Sequence, residues 1–205
     1  MTSWPERARG GKPPQEFGRG EIGRKLFHLC TPVFLVYYFV DPHLWIGLRK
    51  EVAVLIVLGI FLLGEAVRLW KGVLLPGMRT YEKQRVSAVT WGVLGLSIAF
   101  LLPFATSFVI ASVLVMAWVD PLCAMTRRYG GYPILPLAGA FGILSPVLLF
   151  LGSVSIYSSV LLAGVGAVVA VGVEYPHVEF IDDDFLILMG TLLVLQKLAY
   201  ILEYL

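Results

Sequence analysis

Four short segments of the chain carry side chains whose types and spacing could do chemistry. The first has four such residues at positions i, i+3, i+4 and i+7: Glu21, Arg24, Lys25 and His28. That spacing places an acid, two cations and an imidazole on one face of a helix. Polar groups that enter a bilayer usually face a protein interior, which favours a functional cluster. The plainer interpretation, an anchor whose cations reach lipid headgroups, stays open.

The second segment precedes an apolar run and combines charged residues with a serine: Glu82, Lys83, Arg85 and Ser87. Ser87 is suited to cap the helix that follows, with the acid near the positive end of the helix dipole. A capping role for Ser87 explains neither Lys83 nor Arg85. We therefore retain the segment as a candidate phosphate-binding group.

The third segment begins at Asp120, which follows an almost wholly apolar run. A carboxylate costs about 2.5–3.5 kcal/mol at the centre of a membrane helix and less near its end. Pro121 is expected to break the helix, so that Asp120 caps a new one whose N–H groups suit phosphate. Arg127 and Arg128 follow two turns later, and Gly130 would let the backbone approach a ligand. Alternatively, Asp120 is only a helix cap.

The fourth segment, residues 174–184, has no basic residue and ends in Asp182, Asp183 and Asp184. Adjacent carboxylates repel each other unless a cation lies among them. Hard oxygen ligands suit Mg²⁺, which is often shared with substrate phosphates. Asp120, Asp182 and Asp183 are therefore candidate ligands of Mg²⁺ or another divalent cation. The alternative is a solvated acidic loop with Asp184 as the cap of the next helix.

Composition decides which kind of protein must position these segments. Of the 205 residues, 58% are hydrophobic and 15% are charged, against about 45–50% and 25% in soluble domains. A small globule could not bury this much apolar surface. The composition therefore excludes a water-soluble enzyme, a disordered chain and a nucleic-acid-binding domain. Cys30 and Cys123 lie far apart in apolar stretches and suggest neither a disulfide framework nor a metal motif.

The apolar runs predict an all-α fold, because lipid offers no hydrogen-bond partners to an open backbone. We predict a polytopic membrane bundle of seven helices over residues 26–46, 50–69, 87–104, 107–120, 133–152, 155–173 and 185–204. The fourth is short, and its continuation past Pro121 stays open. Residues 1–18 are expected to form a flexible cytoplasmic tail, and residues 19–205 a single transmembrane catalytic domain.

The distribution of charge predicts the orientation. Of the 16 Lys and Arg residues, 13 fall in the N-terminal tail and in the joints after the second and fourth helices. The excess of cations on cytoplasmic loops places the N-terminus in the cytoplasm. Most acids fall on the same face, although that rule is indifferent to acids. Cations for a polyphosphate and carboxylates for a metal would meet there, as phosphoryl or nucleotidyl transfer requires. The P-loop, HExxH and GxSxG motifs are absent from the sequence.

Four stretches, taken in order, resemble a family of membrane enzymes. They are EIGRKLFHL at 21–29, EKQRVSAVTWGVLG at 82–95, VDPLCAMTRRYGG at 119–131 and DDDFLILMG at 182–190. The set is similar to dolichol kinase, phytol kinase and CTP-dependent diacylglycerol kinase, a family related to phosphatidate cytidylyltransferase. Two departures are Val119, where the family usually has Gly, and Asp184-Phe185, where it usually reads Asn-Leu before a Thr.

The resemblance implies an integral membrane enzyme that phosphorylates a lipid alcohol with CTP and a divalent metal at the cytoplasmic face. It carries over these residues as functional: Arg24, Lys25, His28, Glu82, Arg85, Ser87, Asp120, Arg127, Asp182 and Asp183. In this hypothesis Asp120 with Asp182 or Asp183 holds Mg²⁺, the cations bind phosphate oxygens, and His28 or a nearby carboxylate orients or deprotonates the lipid hydroxyl. The alternatives are cytidylyl transfer to a lipid phosphate, and a non-catalytic membrane scaffold or transporter.

Overall fold

The computed structural model describes residues 28–43, 47–75, 78, 80–152, 154–175 and 180–203, and within them the chain is helical apart from turns and one isolated bridge. We number the helices α1 to α7. Their bounds are α1 His28–Tyr38, α2 Lys50–Lys71, α3 Ala88–Leu101, α4 Thr106–Tyr129, α5 Ile134–Leu151, α6 Ile156–Glu174 and α7 Asp183–Glu203. A short 3₁₀ turn, Thr80–Gln84, precedes α3.

Five of these helices, α2 and α4 to α7, are long and apolar enough to cross a membrane, and α1 and α3 are shorter apolar helices. Large apolar side chains cover the outside of the bundle, as lipid contact requires. Strongly exposed aromatic residues lie at helix ends, among them Trp70, Tyr129 and Tyr157, where interfacial aromatic residues are usual. The predicted all-α membrane bundle is therefore confirmed. The number of spans and the cytoplasmic N-terminus stay predictions.

The core of the bundle lies around α4, which packs against α5 and α7 and also contacts α1, α3 and α6. Small residues let the helices approach closely. A Cβ on Gly166 of α6 would lie 2.9 Å from a methyl of Leu144 in α5 and 3.2 Å from one of Leu195 in α7. We call α4–α7 the compact half of the molecule and α1–α3 the open half. Within the membrane-spanning window, 61% of α4 is buried but only 11% of α2.

The predicted break at Pro121 was wrong. The helix α4 runs without interruption from Thr106 to Tyr129, with Pro121 buried inside it. Proline removes one backbone hydrogen bond, and membrane helices tolerate this loss where neighbouring helices surround them. Asp120 is consequently a residue of a continuous helix and does not cap a new one. The positive dipole end that the sequence predicted at this position is absent from α4.

The first and last helices also differ from their predicted bounds. The first was expected to reach residue 46, but α1 ends at Tyr38, and Asp41 then accepts a hydrogen bond from the N–H of His43. A following proline disfavours helical backbone at Asp41, and Asp side chains stabilise turns of this kind. The last was expected to begin at residue 185, but α7 begins at Asp183. Residues 1–27, which include the predicted tail, lie outside the described residues.

Candidate functional site

Polar side chains from several helices meet at one end of the bundle, which we call the polar end. It contains the first residues of α1, α3 and α7 and the last turns of α2, α4 and α6. Among the residues that the structure describes, three clusters of charged groups lie there. Two of them include residues outside the predicted functional set: Asp184 in the first cluster, and Glu65 and Arg68 in the second.

The first cluster contains His28, Asp120 and Asp184, whose potential ligand atoms all lie within 4.8 Å of one another. We call it the His/Asp cluster. The distance between His28 Nε2 and Asp184 Oδ2 is 3.1 Å, and both side chains are largely buried. Asp184 is a helix residue in the first turn of α7, where a carboxylate is stabilised by the helix dipole. The cluster therefore joins α1 to both α4 and α7.

This arrangement changes the set of carboxylates that the sequence analysis proposed around Asp120. The group contains Asp184, which the sequence analysis considered as a helix cap, and not Asp182 or Asp183. Asp182 precedes α7 and accepts a hydrogen bond of 3.4 Å from the N–H of Asp184, so Asp182 stabilises the start of the helix. Asp183 is buried in the first turn of α7.

A cavity of about 340 Å³ opens beside the His/Asp cluster, between α1, α2 and α3. His28 and Asp184 line one end of it. The walls are almost entirely apolar and are formed mainly by Phe34 of α1, Val57 and Phe61 of α2, and Gly92 and Leu96 of α3. The side chains of Phe34, Val57 and Phe61 are 39–48% exposed, so the cavity is accessible from the lipid side of the bundle.

The second cluster fastens α2 to the segment that precedes α3, and we call it the α2–α3 clamp. Arg68 pairs with Glu65 through two hydrogen bonds of 2.8 Å, and both side chains are buried. The guanidinium also donates to the backbone carbonyls of Glu82, at 2.7 Å, and Arg85, at 2.6 Å. Glu65 in turn accepts from the N–H and hydroxyl of Ser87. A buried ion pair with this many hydrogen bonds fixes the segment firmly.

The predicted capping role of Ser87 is confirmed by the structure. Its hydroxyl accepts a hydrogen bond from the N–H of Thr90 in the first turn of α3. Arg85, two residues earlier, lies over the ring of Phe180 with the guanidinium carbon 5.5 Å from the ring centroid. Phe180 lies four residues before Asp184, so this contact places Arg85 beside the segment that leads into α7. Glu82 is buried, and Lys83 is exposed.

The third cluster joins the end of α4 to the end of α6. Arg127 forms a salt bridge with Glu174, whose side chain is 1% exposed. The guanidinium also lies over the ring of Tyr132, 4.8 Å from the centroid. Burial raises the pKa of the Tyr132 phenol. Arg127 is therefore engaged in a structural ion pair, whereas Arg128 and Gly130 are exposed.

The sequence motifs did not include Glu65 and Arg68, and Asp184 was considered only as a helix cap. A charged pair at i, i+3 inside an apolar run could have marked α2, because such a pair is rare and indicates a protein-facing surface. Glu174 was recognised only as part of the acidic segment. Arg24 and Lys25, and the rest of the first motif before His28, lie outside the described residues.

Comparison of the chain with protein-family models, with curated proteins and with solved structures found no match. The resemblance of the four motifs to CTP-dependent lipid kinases therefore stays a prediction. The functional argument rests on the geometry of the polar end and of the cavity beside it.

Proposed function

We propose that the protein is an integral membrane kinase that transfers the γ-phosphate of CTP to a lipid alcohol. One observation carries the proposal: an apolar cavity, accessible from the lipid side, ends at the imidazole of His28 and the carboxylate of Asp184. A lipid alcohol has the matching chemistry, with a hydroxyl at one end of a hydrocarbon chain. The four motifs that resemble lipid kinases support the same substrate class.

His28 is suited to accept the proton of the lipid hydroxyl. Asp184, 3.1 Å from Nε2, orients the imidazole and favours the tautomer that carries its proton on Nε2. Asp184 would also stabilise the imidazolium that forms after proton transfer. General-base catalysis of this kind contributes about 10²–10⁴-fold to a rate.

The donor set of the His/Asp cluster fits a divalent cation. Carboxylate oxygens are the ligands that Mg²⁺ prefers. In the proposal Asp120 and Asp184 would hold the cation. The cation, when bound, neutralises charge on the triphosphate.

In the proposal, cations at the polar end bind the phosphate groups. Arg85 lies beside the segment that leads into α7, and the α2–α3 clamp fixes its backbone. Arg127 is paired with Glu174, so in the proposal it positions the end of α4. The proposal also retains Arg24 and Lys25, from the first motif, and the exposed Lys83 and Arg128 as phosphate ligands.

The test uses the purified full chain in detergent with CTP, Mg²⁺ or Mn²⁺, and a panel of isoprenoid alcohols and diacylglycerol. The expected products are a phosphorylated lipid and CDP. Asp120→Asn should lower turnover by about 10²–10³-fold, as loss of a charge-stabilising group does. Asp41→Asn is the matched control, because Asp41 is exposed in the turn after α1, and it should leave turnover unchanged.

Two other results would overturn the proposal. Release of pyrophosphate with a lipid phosphate as acceptor would assign cytidylyl transfer. A folded protein that phosphorylates none of the alcohols, with either cation, would favour the scaffold or transporter alternative.

A further inference from the structure

The cavity between α1, α2 and α3 ends, away from the His/Asp cluster, at a group of aromatic side chains. Tyr37 of α1 stacks on Phe100 of α3 with ring centroids 4.7 Å apart and planes 14° from parallel. Tyr38 packs edge-on against both rings. Tyr37, Phe100 and Lys50 line the cavity at this end. We call Tyr37 and Phe100 the aromatic stack.

Polar contacts hold the aromatic stack in place. The Tyr37 hydroxyl donates a hydrogen bond of 3.2 Å to the carbonyl oxygen of Phe100. Lys50 Nζ donates one of 3.3 Å to the carbonyl oxygen of Tyr37 and lies 4.6 Å above its ring centroid. The stack therefore joins the end of α1, the start of α2 and the end of α3. The ring of Tyr37 therefore cannot rotate away from Phe100 without breaking these contacts.

The cavity is long for its volume. Its α3 wall runs along one helical face from Ala88 to Phe100, and twelve residues of helix span about 18 Å. A volume of about 340 Å³ is at the low end of the range of about 300–1,000 Å³ for small-molecule sites. A space with this length and volume is narrow, and it suits one hydrocarbon chain better than two.

We infer that the aromatic stack sets the length of the lipid tail, so that the cavity selects a single-chain alcohol whose tail extends about 18 Å from the hydroxyl. This inference rests on the proposed function, because it places the hydroxyl at His28. A longer tail meets the ring of Phe100 and must turn out toward the bilayer. A two-chain lipid leaves its second chain outside the cavity.

The test measures kcat/KM for isoprenoid alcohols of increasing length, in the wild type and in Phe100→Ala. In the wild type kcat/KM should pass through a maximum at the length that reaches the stack. In Phe100→Ala the maximum should move to longer alcohols, with a gain of about tenfold for those that the wild type rejects, since one methylene group in a pocket discriminates by at least that factor. Binding of the same alcohols, followed by the shift in Tm, gives a second readout that needs no turnover.

Phe34→Ala is the matched control, because Phe34 forms a side wall of the same cavity. It removes the same side chain without opening the end, so the optimal length should not move. A length profile that is flat, or that Phe100→Ala leaves in place, overturns the inference while phosphorylation of the alcohols still supports the proposed function. Conversely, length-dependent binding with no turnover contradicts only the proposed function.

Discussion

The compact half and the open half of the molecule bury very different shares of their surface. Of the residues in the membrane-spanning window, 61% are buried in α4 but only 11% in α2. Helix α4 packs against α1, α3, α5, α6 and α7, whereas α2 packs mainly on α3. In lipid, apolar burial does not drive helices together, so association depends on close packing and polar contacts. The compact half has close packing through small residues such as Gly166. The open half depends on the α2–α3 clamp at one end and the aromatic stack at the other.

The difference places the candidate site at the border between the halves. His28 belongs to the open half, and Asp120 and Asp184 belong to the compact half. The carboxylates therefore belong to the half that contains the most buried membrane helix, α4. The cavity, which admits the lipid tail in the proposed function, lies between the helices of the open half. Four predictions test this comparison, and they follow from the largest effect to the smallest.

Asp184→Asn should have the largest effect, a loss of about 10³–10⁴-fold in kcat, because Asn lacks the charge that stabilises the imidazolium of His28 and, since its amide can donate as well as accept, no longer fixes one tautomer. His28→Gln should cause a similar loss. The double variant should be little worse than either, since residues that act as a unit are not additive. Steady-state assays with the best alcohol measure all three. Losses that multiply would contradict the pairing, because independent sites give additive free energies.

Arg127→Ala should destabilise the compact half by about 3 kcal/mol, the lower end of the range for a broken buried ion pair. The lower end applies because Arg127 itself is 22% exposed, although Glu174 is 1% exposed. Unfolding in mixed micelles measures the free energy. Arg128→Ala, at the exposed neighbour, is the control and should change it by less than about 0.5 kcal/mol. Equal effects of the two substitutions would show that the Glu174 pair has no special role.

Leu144→Ala should cost about 2–3 kcal/mol, since Leu144 is fully buried in α5 and its removal leaves a cavity. Leu55→Ala in α2 is the same substitution in the open half at a side chain that is 53% exposed, and it should cost less than about 0.5 kcal/mol. The same unfolding assay compares them. If both cost the same, the two halves do not differ in packing as the burial indicates.

Ser87→Ala should have the smallest effect, about 1 kcal/mol, because it removes the cap of α3. It also removes a hydrogen bond to Glu65 of the α2–α3 clamp. Under the proposed function the KM for CTP should then rise, by about fivefold if the full 1 kcal/mol falls on the segment that carries Arg85. Ser155→Ala is the control, since Ser155 caps α6 in the same way. It should lower stability but leave the KM for CTP unchanged. A rise in both variants would point to a general effect of capping.

Composition and hydrophobic runs were sufficient to predict the all-α membrane fold, because lipid leaves the backbone few alternatives. Ser87 as a cap was also predictable, since capping is decided within four residues. Pro121 was misread because the local rule for proline ignores the neighbouring helices that allow α4 to continue. The end of α1 was misread because an apolar run does not show where a turn residue such as Asp41 redirects the chain.

The composition of the site was only partly predictable. Asp120 and His28 stand out in sequence because polar groups in apolar runs are costly. Which of three adjacent aspartates faces them depends on the rotation of α7, and one residue of helix turns a side chain by about 100°. The hydrogen bonds of Arg68 to backbone carbonyls, and of Glu65 to the backbone N–H of Ser87, depend on the path of the chain after α2, which no spacing encodes. Tertiary packing decides both.

The α2–α3 clamp couples the end of α2 to the start of α3, so that the two should move together. Arg68 donates to the backbone carbonyl of Arg85, and Glu65 accepts from the backbone N–H of Ser87. An outward movement of α2 must therefore either break those hydrogen bonds or move the segment with it. In the proposed function, a lipid tail in the cavity would contact α2 from its apolar side. Binding of a lipid tail in the cavity would therefore be coupled to the position of the segment that carries Arg85.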